Sequence, residues 1–231
     1  MINVICVRIG SLYGIEYVER LRNMVSRNIT GPYKFYCITD DPTPIEGVEL
    51  LILENQKYKK AWWHKVHLFD KNLGLEGRML YFDLDVVIVG ALTRLYDNCG
   101  DRFYGIRDFN RKFNPKWNVL NSSIMSWMAG HHNHIFDNFI RDKKQAQRLH
   151  GDQDWIWQVA KNQICFWPDQ WIQSYKWEVR DRSELLYKAN KRSFKTVRDD
   201  VQPHKHCAVL VFHGEPKPHE VKDKIVIENW H

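Results

Sequence analysis

The apolar residues of this chain fall into short runs separated by polar turns, and the runs change period along the sequence. Asn3–Ile9 (NVICVRI) is a β-branched apolar run, which predicts a buried parallel strand. Gly10, Ser11 and Gly14 make a turn. Ile15 to Arg27 then places Ile15, Val18, Leu21 and Val25 at helical spacing. Lys34–Thr39 and Val48–Leu53 read as two further strands. Ala61–Asn72 reads as a helix with Trp62, Val66 and Phe69 on one side and Gly74 as its stop. Met79–Phe82 is a fourth strand running into Asp83. This β-α-β-β-α-β order predicts an α/β sheet covered by helices.

The second half is more mixed. Phe103–Ile106 and Ser122–Trp127 are expected strands, His134–Leu149 a polar basic helix and Asp152–Lys161 a short helix with acidic residues at its start. Ile164–Trp167 and Ala208–Phe212 complete the strands. With no repeat, low-complexity tract or linker, the expectation is one domain over 1–231. Within it, residues 1–90 and residues 91–231 are the two expected parts.

Composition narrows the partners. The net charge of +6 favours anionic ligands such as phosphates, nucleic acid or an acidic membrane surface. The densest basic stretch is Lys188–Arg198, which a solvated face also explains. Five cysteines with no CxxC pair, Cys6 and Cys37 among them in apolar runs, point to a reducing, cytoplasmic compartment. No signal-peptide pattern and no 18-residue apolar stretch occurs. Nucleic-acid binding is set aside, because no helix-turn-helix, RNP-like or zinc-finger spacing accompanies the charge. His131, His132 and His134, and His204, His206 and Cys207, lack four ligands at a zinc spacing and read as surface residues. Trp155, Trp157, Trp167, Trp171 and Trp177 fit an acceptor groove and ordinary packing equally.

The sharpest chemical signal is Tyr81-Phe82-Asp83-Leu84-Asp85-Val86-Val87-Ile88. In an extended chain, carboxylates at i and i+2 point the same way while Leu84 points into the core. Two such carboxylates repel unless a cation sits between them, and their hard oxygens suit Mn²⁺ or Mg²⁺. Strand ends in open α/β sheets are where ligands collect. Val211–Pro218 (VFHGEPKP) adds a metal-competent His213 and a Lys217 fixed between prolines, able to offset the charge of a leaving diphosphate. Gly151-Asp152-Gln153-Asp154 opens a helix with acids that also serve as plain caps.

Taken in order, these segments resemble glycosyltransferase family 8 and its relatives, which have the GT-A fold. The matching segments are Val4–Tyr13, Lys65, Asp83 and Asp85, Asn121-Ser122-Ser123, Asp152-Gln153, and His213-Gly214 through Lys217-Pro218. The resemblance implies a Rossmann-like mixed sheet with helices on both faces and retaining hexosyl transfer from a UDP-sugar to a glycan or lipid-linked acceptor. It implies Asp83, Asp85 and His213 as ligands of Mn²⁺ (or Mg²⁺). Ile9, Tyr13, Lys65, Asp83, Asn121 and Lys217 would hold the donor, with Tyr13 stacked on the base, and Asp152 and Gln153 would be catalytic. Peripheral contact with the inner face of a membrane is compatible with the basic and aromatic C-terminal part. The chain departs from the family pattern in three places. His213 abuts Gly214 while Val211 holds the usual histidine place; Arg8, Ile9 and Gly10 stand where an acidic residue often reads the base; and Ser123 replaces a glycine. The alternative is a nucleotidyltransferase, although Gly10-Ser11-Leu12-Tyr13-Gly14 is a poor phosphate loop.

Overall fold

The apolar runs of the first half assemble into the parallel core of a sheet. In the computed structural model, which describes residues 1–53, 58–97, 99–180, 185–188, 191–194 and 202–231, the chain begins β1 (Ile2–Arg8), α1 (Ile15–Asn28), β2 (Tyr33–Thr39), β3 (Glu49–Ile52) and β4 (Arg78–Phe82). Then come β5 (Val86–Ile88), β6 (Phe103–Arg107), β7 (Leu120–Met128), α2 (His134–Arg141), α3 (Lys143–Ala146) and α4 (Asp152–Ala160). The last elements are β8 (Ile164–Phe166), β9 (Ile172–Ser174), β10 (Leu185–Lys188), β11 (Lys191–Phe194), β12 (Val209–Val211) and α5 (Lys224–Asn229).

Seven strands form the main sheet in the order β3-β2-β1-β4-β7-β6-β8. The first four are parallel, β7 runs antiparallel to both β4 and β6, and β8 is parallel to β6. A smaller sheet, β5-β12-β9, pairs β12 antiparallel with β5 from the first half of the chain and parallel with β9. This is the expected mixed α/β sheet in one domain. Strand alternation feeds two cores. Val4, Cys6, Leu80 and Phe82 pack with α1 and the small sheet; Ile5, Met79 and Tyr81 pack with Trp63, α2 and α4. On α1, Val18, Leu21, Met24 and Val25 are fully buried, each contributing about 1.5–3 kcal/mol of burial.

Three elements differ from the sequence reading. Ala61–Phe69 is a 3₁₀ helix rather than an α-helix, followed after Asp70 by a short 3₁₀ turn at Lys71–Leu73 that ends on Gly74 at φ 65°. In a 3₁₀ helix, residues i and i+3 eclipse. Trp63, Val66 and Phe69 therefore line up against the core, and Trp62 turns outward. The expected helix His134–Leu149 breaks at Asp142 into α2 and α3. Val86–Ile88, read as the tail of one apolar string, leaves the main sheet and pairs with β12. The side chains of the basic run Lys188–Arg198 lie outside the described residues. Among the described residues, all five cysteines are free, and no helix is long and apolar enough to cross a membrane.

Candidate active site

The parallel strands end at a cleft of ≈ 190 Å³ lined by Val7, Ile9, Leu12, Tyr13, Ala61, Trp62, Lys65, Tyr81 and Asp83–Asp85. β4 delivers Asp83 to its floor, and the Asp83 N–H donates to Ser123 O at 2.8 Å, clamping the strand end onto β7. Asp85 is carried just before β5, where its carbonyl accepts from Phe212 N at 3.0 Å. The loop over the cleft is tied down from below. The Arg8 guanidinium donates to Tyr13 O and pairs with Asp41, both at 3.0 Å, and Gly10 N–H donates to the Asp40 carboxylate.

Each of the two carboxylates is held by a lysine. Lys65 Nζ lies 2.9 Å from Asp83 Oδ1 and 3.2 Å from Asp152 Oδ2. It also donates to Ser122 Oγ, whose hydroxyl donates to Asp152 Oδ2 at 2.9 Å. The Tyr81 hydroxyl donates to the same Asp83 oxygen. On the other side, Lys217 Nζ lies 2.6 Å from Asp85 Oδ2 and 3.0 Å from the Tyr13 hydroxyl, which donates to Asp85 Oδ2 at 2.9 Å. Gly214, at φ +69°, turns the chain out of β12 toward Lys217; that left-handed backbone suits glycine.

The electrostatics follow from packing three acids and two ammonium groups into a small volume. Burial pushes the Asp85 carboxyl above its usual range and the Asp83 charge adds to this, while Lys217 and Tyr13 pull it back. Asp152 is raised by burial and by Asp83, against the pull of Lys65 and Ser122. Burial disfavours the Lys65 charge, yet the flanking Asp152 and Asp83 hold its ammonium group above the ordinary lysine value. The Tyr13 phenol is raised by burial and by Asp85, so it stays a donor.

Asp83 Oδ2 and Asp85 Oδ1 have no hydrogen-bond partner among the described residues, whereas the other oxygen of each is engaged. The donor set therefore fits a hard divalent cation: two mutually repelling carboxylates, each with one oxygen open.

No protein-family model matches the chain, and no curated protein matches it by sequence. Solved structures match it in three dimensions. The glycosyltransferase GlyE of Streptococcus pneumoniae superposes with a TM-score of 0.66 at 15% identity, over 98% of this chain and 61% of GlyE. The galactosyltransferase LgtC, solved with donor and acceptor sugar analogs, gives 0.62 at 11% identity, over 99% of this chain and 96% of LgtC. The bifunctional glycosyltransferase WbbM gives 0.60 at 12%, over 99% of this chain and 49% of WbbM. The chain has the GT-A glycosyltransferase fold. It spans about three fifths of the length of GlyE.

Within that GT-A frame, Ile9, Tyr13, Lys65, Asp83 and Asp85 meet in the cleft. Lys217 joins them through Asp85 and Tyr13, and Asp152 through Lys65. Gln153 stands behind, accepting from Ser122 N at 3.3 Å and donating to Asp108 at 3.4 Å. Asn121 is buried on β7 with its Oδ1 taken by Ser123 N at 3.1 Å, and it does not line the cleft. His213 is not brought to the carboxylates either. Its Nε2 bonds Ser174 Oγ at 2.7 Å, and its ring stacks on Phe109 at 5.1 Å. The register explains this. β12 aligns Val211 with Val86, so Phe212 stands across from Asp85, and His213 comes one place later. Among the described residues, no three His, Cys, Asp or Glu side chains converge as a metal cage. Trp155, Trp167 and Trp177 are buried packing residues.

Sequence reasoning did not single out the role of Ser122, Tyr81 or Trp62. Tyr81 carried a usable signal, because it stands two places before Asp83 in the same apolar run, whereas Ser122 is next to Asn121 and faces the other way. Trp62 carried one only if the segment is taken as a 3₁₀ helix.

Proposed function

We propose that this chain is a glycosyltransferase that transfers a hexose from a UDP-sugar, with Mn²⁺ or Mg²⁺ bound, onto an acceptor hydroxyl with retention of configuration. One observation carries the reading: Asp83 and Asp85 line one cleft with Lys65, which reaches Asp152 behind it, Lys217 pairs with Asp85, and Asp83 and Asp85 each keep one oxygen open. The GT-A fold supports it. Asp83 and Asp85 are the proposed protein donors to the cation, and His213 joins them only by releasing Ser174. When bound, the cation offsets diphosphate charge and polarises the leaving group.

The side chains then divide the work. Lys217 exchanges Asp85 for a diphosphate oxygen and stabilises the charge that grows as the sugar–phosphate bond breaks. Ile9, Leu12 and Tyr13 give the base an apolar and aromatic seat at the end of β1. Lys65, fixed between Asp83 and Asp152, offers its ammonium group to a phosphate oxygen or sugar hydroxyl. Asp152, held by Ser122 and Lys65 and backed by Gln153, faces the positive charge that develops at the anomeric carbon. The acceptor oxygen bonds that carbon as the leaving oxygen departs, and the acceptor proton passes to the released diphosphate. The cleft of ≈ 190 Å³ is below the roughly 300–1,000 Å³ of small-molecule sites. Beyond Leu12 and Tyr13 lies a hollow of ≈ 570 Å³ lined by Tyr17, Arg20, Lys217 and Trp230.

The test is a thermal-shift panel of nucleotide sugars with and without Mn²⁺, followed by product analysis. The expected result is a cation-dependent shift with a UDP-sugar and release of UDP. Release of pyrophosphate would instead make the chain a nucleotidyltransferase, and salt-sensitive RNA binding without any shift would remove the enzymatic reading.

A further inference from the structure

Two adjacent tryptophans have opposite fates. Trp63 is 1% exposed in the core, whereas Trp62 is 46% exposed at the rim of the cleft. On the 3₁₀ segment Ala61–Phe69, Trp62 eclipses Lys65, and both side chains line the cleft. The indole edge rests on the start of α4. A Cβ on Gly151 would stand 3.4 Å from Trp62 Nε1, so the glycine lets the ring lie close against the residue that precedes Asp152. Trp62 thus lines the cleft beside Lys65, which bridges Asp83 and Asp152.

A half-exposed indole at that place is a ligand surface. Its apolar face matches the C–H face of a pyranose, and its N–H matches a hydroxyl. The buried Lys65–Asp152 pair lies deeper and suits the donor sugar. The ring at the rim suits the molecule that enters after the donor and stays partly outside.

We propose that Trp62 is the platform for a pyranose ring of the acceptor, which makes the acceptor a saccharide; the acceptor role rests on the donor-sugar reading given above. The test uses the full chain, with methyl β-galactopyranoside, methyl α-glucopyranoside and lactose as probes in saturation-transfer NMR and UDP with Mn²⁺ in calorimetry. Wild type binds at least one of these saccharides. Trp62→Ala weakens that binding about tenfold or more, Trp62→Phe stays within about threefold, and UDP affinity in both stays within about twofold. Unchanged thermal midpoints are expected, because the ring is half outside the fold. No saccharide binding in wild type, equal binding in Trp62→Ala, or a parallel loss of UDP affinity would each overturn the platform. The outcomes for platform and donor are distinct. A protein that ignores UDP but binds a saccharide, and stops binding it in Trp62→Ala, keeps the platform and sinks the donor. UDP binding without saccharide binding does the reverse.

Discussion

The two lysines of the cleft hold their carboxylates in different ways. Lys65 is buried under the sheet end with two acids and a serine around it, and it cannot leave without exposing charge to the core. Lys217 reaches in from a C-terminal turn, touches one acid and one phenol, and borders the larger hollow as well. The first is part of the floor. The second is a clasp that, under the proposed function, a diphosphate would take over. A site that must bind and release a charged donor needs both kinds: one cation fixed so that geometry persists, and one free to change partners.

That contrast can be broken or sharpened by substitution. The largest effect is expected from Asp83→Asn or Asp85→Asn, which should lower turnover of a UDP-sugar by roughly 1,000-fold or more while leaving the thermal midpoint within a few degrees. Full activity of both variants at limiting Mn²⁺ would reject the cation assignment. Next come the lysines themselves. Lys65→Met and Lys217→Met should each cost about 100-fold in kcat/KM, but their stabilities should diverge. Removing Lys65 leaves buried Asp152 beside Asp83 and should cost about 3–5 kcal/mol in urea unfolding; removing Lys217 leaves Asp85 with the Tyr13 hydroxyl still bonded to it and should cost less, about 1–2 kcal/mol. Equal losses would erase the distinction between floor and clasp.

The same 3₁₀ segment contains a pH-sensitive group that the Lys65 floor lacks. His67 is buried against Tyr58, and burial, with the nearby His64 charge, holds its pKa down to about 4. The unfolded chain takes up this proton near pH 6.5, so the contribution is intact above that value and is lost as pH falls toward 4. Unfolding free energy should drop by on the order of 2 kcal/mol over that window, and His67→Gln should flatten that part of the profile. The smallest effect is expected from His213→Ala. With His213 bonded to Ser174, Mn²⁺ affinity should change by less than about threefold, against a loss of about tenfold or more for Asp85→Asn. Equal losses would return His213 to the cation.

How far the sequence reveals this molecule depends on how local each cause is. Strands β1, β2 and β4 are legible because each is a short apolar run buried on both faces, and α1 because its apolar residues keep helical period. Asp83 and Asp85 are legible because i, i+2 at a strand end is a geometric statement. Lys217 is legible from its place between two prolines after an apolar strand, whereas Lys65 gains meaning only beside motifs far away in the chain, through family resemblance. β5 is hidden because its partner β12 lies some 120 residues on. The exposure of Trp62 is hidden because a helical pattern does not reveal whether the turn closes at three residues or four. The displacement of His213 depends on a register between β5 and β12 that no local pattern encodes.

In the proposed function, two acids at a strand end grip a divalent cation that in turn grips a diphosphate. Calorimetric titration of UDP into the wild-type chain, with Mn²⁺ and then with EDTA, tests it most directly when repeated on Asp83→Asn and Asp85→Asn. The account predicts that Mn²⁺ tightens UDP at least about tenfold in wild type and does nothing in either variant. UDP affinity that ignores both the cation and the substitutions would contradict it.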